Sequence, residues 1–480
     1  MDFTTTICAL ATPAYTGALA VVRISGPQAL TVAGRVFRSR QCPDLTQAKG
    51  FTLYYGEIVR SQDGTDREEI LDQVVVSVFR APHSFTGEDS VEISCHGSLY
   101  IQNALVQLLI DNGAVMAGPG EFSQRAFLNG KMDLTQVEAV ADVIASRNAG
   151  AHRLALSQLR GGFSKELSQL REQLVELASL MELELDFSDQ DVEFADRTRL
   201  RTLLECLRNR MTTLCDSFRA GNAVKNGVPV AIVGCVNAGK STLLNALVGQ
   251  ERAIVSAVPG TTRDTIEDSL NIEGIAFRFA DTAGLRKIEN AAAGTQEQIE
   301  QLGVERSLKT LHEAALVVLV VDLTRPETFA PSIELVKDIN NSIITLVLNK
   351  IDAVSNVDVI HTNKDVTYMR NSLNCIEISA SKHLGIDLLK NTLHQTFLKC
   401  YAQDGGVLPS LLLNNTRHYQ ELRAALDALG HLQEGMEAQL PTDLLTPDLR
   451  QVLYHIGCIT GEIGTEEVLG GIFSKFCIGK

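Results

Sequence analysis

The sequence predicts a multidomain fold in three parts: an N-terminal α+β domain, an all-α helical bundle, and an α/β domain inserted in that bundle. Short strand-like runs between turns fill residues 1–130, which is typical of an α+β domain. Apolar residues then recur every three or four positions over 131–226 and again over 399–480, the spacing of amphipathic helices. Because residues 227–398 between them return to buried strand-like runs, they indicate a domain inserted into one helical bundle.

The N-terminal domain is predicted from its apolar runs. Three of them are typical of strands: ALAVVRIS (18–25), FTLYYGEIV (51–59) and LDQVVVSVF (71–79). A fourth, SVEISCHG (90–97), leads into the helical pattern of LYIQNALVQLLIDNG. The polar residues between these runs are, from spacing alone, interpreted as surface ion pairs or turn residues.

Two apolar seams with helical spacing follow. They favour helices packed within one bundle over an intermolecular coiled coil. The acidic run 186–196 and the basic Arg197, Arg199 and Arg201 that follow it are interpreted as solvated helix ends or loops. For the arginines, nucleic-acid contact is the less favoured interpretation. The seam residues are Leu156, Leu159, Phe163, Leu167, Leu170, Leu174, Leu177 and Met181, then Leu200, Leu204, Leu207, Met211, Leu214 and Phe218.

Composition limits the class of protein. A length of 480 residues favours about three domains, and 45% apolar with 21% charged residues is typical of a globular chain with large cores. The net charge of -15 argues against non-specific binding to polyanions. Ten cysteines without a CxxC pair indicate reduced thiols. Because the sequence shows no leader-like or membrane-spanning run, we expect a cytoplasmic protein without membrane contact.

A phosphate-binding loop is predicted at Gly234–Ser241, GCVNAGKS. It follows the apolar run VPVAIV and precedes the helix-like STLLNALVG. A strand, a glycine-bearing turn and a helix N-terminus in that order point backbone N–H groups at phosphates. In this pattern Lys240 reaches the β- and γ-phosphates, and Ser241 offers a hydroxyl to Mg²⁺.

Three further motifs at the ends of strand-like runs identify the nucleotide. DTAG (281–284) supplies an acid that can hold the metal through water and a glycine amide for the γ-phosphate. NKID (349–352) and SAS (379–381) follow, and Asp352 can accept from the N1–H and N2–H₂ of guanine, an edge that adenine lacks. The four motifs in this order predict an α/β Ras-like P-loop GTPase domain. The predicted nucleotide-binding residues are Asn237, Ala238, Gly239, Lys240, Ser241, Thr242, Ser256, Ala257, Val258, Pro259, Gly260, Thr261, Thr262, Asp281, Thr282, Ala283, Gly284, Asn349, Lys350, Ile351, Asp352, Ser379, Ala380 and Ser381.

Two positions bear on the mechanism. Leu285 occupies the position after DTAG where Ras-like proteins carry a water-orienting glutamine. Because an apolar side chain cannot activate water, this role must pass to another group, and the segment after DTAG supplies several carboxylates. Asn237 has two equally weighted interpretations: a simple turn residue, or a ligand to a monovalent cation beside the phosphates, together with switch I carbonyls of SAVPGTTRD (256–264).

Over essentially its whole length the chain carries, in order, ATP…VVRISGP, SFTGEDSVEISCHG, GEFSQRAFLNGKMDLTQVEAVADVI, GCVNAGKSTLLNAL, PGTTRD, DTAGLR, NKID and the terminal FCIGK. This set resembles the MnmE (TrmE) family of tRNA-modification GTPases. The tail is the most specific part, because generic GTPases do not end in Cys-Ile-Gly-Lys, and it fits a prenylation signal badly. The resemblance implies an N-terminal folate-binding domain that dimerises, a helical domain, and a GTPase domain inserted in the helical domain.

The resemblance also implies roles for individual residues. The implied K⁺ ligands are Asn237, Ser256, Val258 and Thr261, and the implied Mg²⁺ ligands are Ser241 and Thr262. The implied catalytic residues are Glu300, in IEQLGVER, and Cys477, with Glu297 and Glu305 as rival bases. The implied folate-binding residues are Arg23, Glu88, Lys131 and Lys480.

The implied function is K⁺-dependent GTP hydrolysis by a homodimer. In a heterotetramer with the FAD-dependent MnmG (GidA), the family adds an aminomethyl or carboxymethylaminomethyl group at C5 of the wobble uridine, position 34, of certain tRNAs. A 5,6,7,8-tetrahydrofolate derivative supplies the one-carbon unit. The chain departs from the family pattern at PAYTGALA (13–20), where a Gly/Arg-rich turn is usual, and at KIENAAAG (287–294), which resembles an insertion.

Two other functions compete with this one. An Era-like ribosome-assembly GTPase would act as a binding switch, but it needs an RNA-binding module after the GTPase domain, and the chain after residue 400 is helical without such a signature. A folate-dependent methyl-group transferase would not need the intact GTPase motifs.

Overall fold

A computed structural model of the chain describes residues 4–61, 68–186, 197–235, 237–249, 268–280, 311, 314–334, 336–337, 339, 343–354, 374–401, 411–463, 466–474, 476 and 478–479. These residues form two compact units. The N-terminal unit comprises Met1–Ile144, Leu156–Leu204 and Ala424–Lys480, and the P-loop unit comprises Ala145–Ala155 and Glu205–Arg423.

The strands are β1 Ile7–Leu10, β2 Leu19–Ser25, β3 Phe37–Arg38, β4 Thr52–Ser61, β5 Glu68–Phe79, β6 Ser90–His96, β7 Val115–Met116, β8 Val228–Val233, β9 Asp268–Ile272, β10 Ile275–Ala280, β11 Leu316–Asp322, β12 Ile343–Asn349 and β13 Asn374–Glu377. The helices are α1 Ala29–Val36, α2 Leu99–Asp111, α3 Glu121–Leu128, α4 Leu134–Ala145, α5 Ala149–Leu159, α6 Gly162–Asp186, α7 Arg197–Asp216, α8 Phe218–Asn226, α9 Lys240–Val248, α10 Phe329–Glu334, α11 Ile386–Tyr401, α12 Thr416–Glu437, α13 Thr442–Thr460 and α14 Glu466–Phe473.

The N-terminal unit contains a seven-stranded sheet in the order β3-β4-β5-β6-β2-β1-β7. Its pairings are antiparallel except that of β1 with β7. The four predicted strands correspond to β2, β4, β5 and β6, and the predicted helix corresponds to α2. Val22, Ile24 and Val76 share a core with Leu30 of α1 and Leu105 of α2. Because side chains alternate along a strand, Arg23 lies on the opposite face of the sheet.

The apolar seams form buried helix faces. Phe163, Leu170 and Leu177 of α6 are fully buried, and α6 packs against α13. The first seam differs from the prediction in one respect, because it spans two helices, α5 and α6. Gly161 between them has a φ of 80°, a left-handed conformation that favours glycine and ends a helix.

The P-loop unit contains a six-stranded sheet in the order β13-β12-β11-β8-β10-β9. All neighbours are parallel except β9 and β10, which pair antiparallel. β11 is buried at every position, as expected for a strand covered on both faces. Because parallel strands end at the same edge of a sheet, the segments after β8, β11, β12 and β13 meet there.

The P-loop unit also includes helical residues from outside 227–398. The backbone N–H of Gly150 in α5 donates to the carbonyl of Gly274 at 2.8 Å, and Leu154 and Val224 belong to the same core as Phe277 of β10. The domain boundaries at 130, 226 and 398 therefore remain predictions.

Two other observations concern the described residues. None of their helices combines the length and the apolarity of a membrane span. None of their nine cysteines forms a disulfide.

Candidate functional site

The phosphate-binding loop depends on two glycines. Gly234, directly after β8, has a φ of 153°, and a Cβ there would lie 2.2 Å from the carbonyl oxygen of Val320. Gly239 has a φ of 96°, and its Cβ would lie 2.3 Å from Nδ2 of Asn349. Any larger residue would therefore push this loop away from the sheet edge. α9 begins immediately afterwards, at Lys240, so its first backbone N–H groups are available to an anion.

Lys240 folds over this loop. Its Nζ donates to the carbonyl oxygens of Gly234 at 2.7 Å and Cys235 at 2.9 Å, and burial lowers the pKa of the lysine. Ser241 and Thr242 follow in the first turn of α9, and Ser241 is half-buried. The ammonium and the Ser241 hydroxyl are thus the groups expected beside a phosphate and its divalent cation.

Asn349 joins three of the predicted motifs. It is 2% exposed, and its Nδ2 donates to the carbonyl of Ala238 in the phosphate-binding loop at 2.9 Å. Its Oδ1 accepts from the backbone N–H of Lys350 at 2.8 Å and of Ala380 at 3.1 Å. One buried amide therefore holds the GCVNAGKS, NKID and SAS segments together, with all of its hydrogen bonds inside the site.

Asp352 lies in a short turn, Ile351–Ala353, after β12. A hydrogen bond from the Ser379 hydroxyl, and to a smaller extent the Lys382 ammonium, lowers the pKa of Asp352; Lys382 Nζ lies 3.7 Å from Oδ2. Ser379 in turn lies 3.2 Å from the Ser381 hydroxyl. The carboxylate is therefore ionised at neutral pH and oriented by the SAS segment, as an acceptor for a donor-donor base edge must be.

Asn237 has a φ of 65° and an exposed side chain, so it occupies the left-handed position of a turn. This conformation is common for asparagine and leaves its side-chain oxygen available to a ligand. Several predicted residues lie outside the described part of the chain: Ser256, Ala257, Val258, Pro259, Gly260, Thr261, Thr262, Asp281, Thr282, Ala283, Gly284, Leu285, Glu297, Glu300, Glu305, Cys477 and Lys480, and with them the segment 287–294.

In the N-terminal unit, Arg23 extends from β2 between a carboxylate and two rings. Its Nη2 lies 2.7 Å from Oε1 of Glu92. Its guanidinium carbon lies 5.1 Å from the ring centroid of Phe85 and 5.6 Å from that of Phe122. A planar cation over aromatic faces forms cation–π contacts, and the half-buried guanidinium remains accessible to a ligand.

Glu88 belongs to a buried polar cluster. Its Oε2 accepts from the Ser25 hydroxyl at 2.7 Å, and its two oxygens lie 3.2 and 3.4 Å from Nη1 of Arg125. Arg125 is 1% exposed, and it also binds Glu121 at 2.9 Å and the Thr5 carbonyl at 2.8 Å. Arg125 is not among the residues predicted from the sequence, although the spacing of four residues between Glu121 and Arg125 on one helix was an available signal.

Lys131 contacts the same loop as the other two predicted residues. Its Nζ donates to the carbonyl of Pro82 at 3.0 Å. The segment 82–88 thus includes Glu88, supplies the ring under Arg23, and accepts from Lys131. The structure brings these three predicted residues together around one loop.

The C-terminal tail packs on the N-terminal sheet. Ile478 forms an antiparallel bridge with Pro119, and a Cβ on Gly479, whose φ is 98°, would lie 2.1 Å from the carbonyl oxygen of Leu10. The PAYTGALA segment begins just after Leu10, and there Gly17 N–H donates to the Gly97 carbonyl at 3.0 Å. Ile478 and Gly479, which stand between the predicted Cys477 and Lys480 in the sequence, are thus held beside Pro119 and Leu10.

Two family models cover most of the chain. One, described as GTP-binding protein TrmE N-terminus, matches residues 6–131. The other, described as MnmE helical domain, matches residues 134–477. The chain belongs to the MnmE family of tRNA modification GTPases. It is therefore an enzyme that hydrolyses GTP, with the predicted multidomain fold.

MnmE-family relatives align along the whole length. The tRNA modification GTPase MnmE of Parabacteroides distasonis is 47% identical over 99% of this chain and 100% of its own. That of Flavobacterium johnsoniae is 46% identical over 99% of both chains. Membership in the MnmE family excludes the Era-like alternative as the best description of the whole chain. A crystal structure of Aquifex aeolicus Era bound to GDP.AlF4- shares 27% sequence identity and covers 42% of this chain and 65% of its own, with a TM-score of 0.27.

Proposed function

We propose that this chain is a K⁺-dependent GTPase that works as a homodimer with a FAD-dependent MnmG (GidA) partner. Together they add an aminomethyl or carboxymethylaminomethyl group at C5 of uridine 34 in certain tRNAs, in the cytoplasm. The observation that carries the GTPase part is the buried Asn349, which joins the phosphate loop to both base-reading segments.

The described residues fit a guanine nucleotide with its metal ions. α9 offers backbone N–H groups and Lys240 to the phosphates, and Ser241 offers an oxygen to Mg²⁺, together with Thr262. Asp352 accepts from the base. Asn237 lies exposed in a left-handed turn, where its side-chain oxygen can reach a cation, and we propose Ser256, Val258 and Thr261 as the other K⁺ ligands. The bound K⁺ supplies positive charge beside the phosphates, where an arginine acts in other GTPases.

Glu300 is proposed as the residue that orients the attacking water, because Leu285 cannot. For the tRNA chemistry, we propose that Arg23, Glu88, Lys131 and Lys480 bind the tetrahydrofolate derivative. The cluster around segment 82–88 supports this, because a guanidinium over two rings and an accessible ammonium suit a flat, anionic ligand. Cys477 is proposed to act at the modification centre.

GTP turnover tests the first half of the proposal. We expect replacement of K⁺ by Na⁺ to slow hydrolysis at least tenfold. Equal rates of hydrolysis in the two salts would contradict the proposed K⁺ site.

Glu300→Ala should abolish most hydrolysis and leave GTP affinity within about twofold, because the side chain acts on water. Glu297→Ala is the matched control and should hydrolyse GTP normally. If it lost hydrolysis while the Glu300 variant turned over normally, Glu297 would be the residue that orients the attacking water.

Nucleoside analysis of tRNA tests the second half. A deletion strain should lack the modified wobble uridine, and the wild-type gene should restore it. Cys477→Ser should restore GTPase activity without the modification. Cys206→Ser, at an exposed cysteine of α7, should restore both. Full modification with the Cys477 variant would show that this thiol has no part in the reaction.

A further inference from the structure

Asp322 is a buried carboxylate near the turn Ile351–Ala353, which carries Asp352. None of the roles predicted from the sequence involves Asp322. It is the last residue of β11 and is 2% exposed. Its Oδ2 accepts from Nζ of Lys350 at 2.6 Å, and its Oδ1 accepts from the backbone N–H of Thr324 at 2.9 Å and the Thr324 hydroxyl at 2.6 Å. Both carboxylate oxygens therefore have partners, and within the described part of the chain Lys350 is the only cation that pairs with them.

Burial of a carboxylate is costly unless it is paired and hydrogen-bonded. Burial alone would raise the pKa of Asp322, but the hydrogen bonds from Lys350 and Thr324 outweigh that effect and lower it. The carboxylate is thus ionised, and the Lys350 ammonium is fixed at this point. Asp322 also faces Asn349 across the parallel pairing of β11 with β12, which fixes its distance from the NKID segment.

Lys350 has a φ of 66° and a ψ of 37°, the left-handed conformation that non-glycine residues rarely adopt. It is the residue that begins the turn Ile351–Ala353, and its carbonyl accepts from the N–H of Ala353 at 3.0 Å. Asp352 is the middle residue of that turn. An unfavourable backbone conformation persists only where the surrounding structure restrains it. The ion pair with Asp322 restrains Lys350 through its side chain.

We propose that Asp322 is a positioning residue for the guanine base. Its carboxylate anchors Lys350, Lys350 holds the turn, and the turn aims the Asp352 carboxylate at the donor edge of guanine. The inference rests on the proposed guanine site and extends it, because it adds a residue outside the four nucleotide motifs.

The test is nucleotide binding by the full chain with Asp322→Asn, which keeps the shape and removes the charge. We expect the Kd for GDP to rise about tenfold, the size of a lost charge-assisted hydrogen bond. The preference for GDP over IDP, which lacks the N2 amino group, should fall at least threefold. kcat at saturating GTP should change less than KM, because the anchor acts on the base and not on the water.

A double-mutant cycle distinguishes positioning from general stabilisation. In a Lys350→Met background, Asp322→Asn should have no further effect on the Kd, since both changes remove the same link. Additive losses would overturn the inference. Asp72→Asn is the matched control, because Asp72 is a carboxylate with an 8% exposed side chain in the N-terminal unit. The Asp72→Asn variant should keep the wild-type Kd for GDP and the wild-type preference for GDP over IDP.

Each remaining outcome decides one hypothesis. Asp322→Asn with a lowered melting temperature but wild-type Kd and base preference would reduce Asp322 to a structural role. If that variant does not fold, Thr324→Val removes one donor to the same carboxylate, and it should raise the Kd about two- to threefold; no change would overturn the inference. A wild-type chain that binds neither GDP nor GTP would instead contradict the proposed guanine site.

Discussion

The nucleotide site and the N-terminal polar cluster differ in how the chain assembles them. In the P-loop unit, site residues stand in short consecutive runs at the ends of β8, β12 and β13, where a parallel sheet brings strand ends together. In the N-terminal unit, Arg23 lies in a strand, Glu88 in a loop, and Lys131 in the bend after a helix. The first arrangement depends on local geometry at each strand end, and the second depends on the packing of distant segments. Variants that remove the central residue of each site sharpen this comparison.

The largest effect is expected from Asn349→Ala. It removes the hydrogen bonds to Ala238, Lys350 and Ala380 and leaves buried groups without partners. We expect the Kd for GDP to rise about 100-fold, equivalent to about 3 kcal/mol, as measured by calorimetry. Asn245→Ala, at an exposed position of α9, should bind normally. An unchanged affinity in the Asn349 variant would show that the three segments hold their positions independently.

The corresponding change in the N-terminal unit is Arg125→Met. It keeps apolar volume but leaves Glu88 and Glu121 without the guanidinium that pairs with both. Loss of one partner from a buried ion pair costs about 3 kcal/mol, so we expect the free energy of unfolding of this unit to fall by that amount. Arg35→Met, an exposed guanidinium that donates to the Asn112 carbonyl, is the control. Equal stability of the Arg125 variant and wild type in urea denaturation would contradict the cluster's structural role.

A smaller and more selective effect is expected from Gly479→Ala. The added Cβ would meet the Leu10 carbonyl at 2.1 Å in a left-handed backbone, so the tail should leave its position on the sheet. We expect tRNA modification to fall about tenfold, by nucleoside analysis, while GTP hydrolysis stays within twofold. Gly471→Ala in α14 serves as the control, because no atom lies within 4 Å of the Cβ that this change would add. If GTP hydrolysis fell in parallel, the tail would act on the P-loop unit as well.

The smallest effect concerns cysteines in the N-terminal sheet. Burial raises the pKa of the Cys8 and Cys95 thiols to about 11, so at pH 8 only about a thousandth of each is thiolate. We expect iodoacetamide to leave both unmodified in the folded protein and to label the exposed Cys206, as read by peptide mass spectrometry. Because thiolate fraction increases with pH, labelling of Cys8 and Cys95 should rise only as the pH approaches 11. Rapid labelling at pH 8 would show that this sheet opens readily.

The sequence by itself determined the phosphate loop, the base-reading motifs and the strands that carry them. These features are local: a glycine-bearing turn or an acid after a buried strand has the same geometry wherever that strand lies in a parallel sheet. The helical seams were also predicted, because burial every three or four residues is a property of one helix. The break at Gly161 was not, since the apolar spacing continues across it.

Only the tertiary structure decided the partners of buried charges. Arg125 pairs with Glu88, which is 37 residues away, and Asp322 pairs with a lysine 28 residues further along. The same holds for Gly479, which lies against Leu10 at the other end of the chain. Spacing along the chain cannot specify such pairs, because a buried charge is stabilised by whichever opposite charge the fold brings within hydrogen-bonding distance.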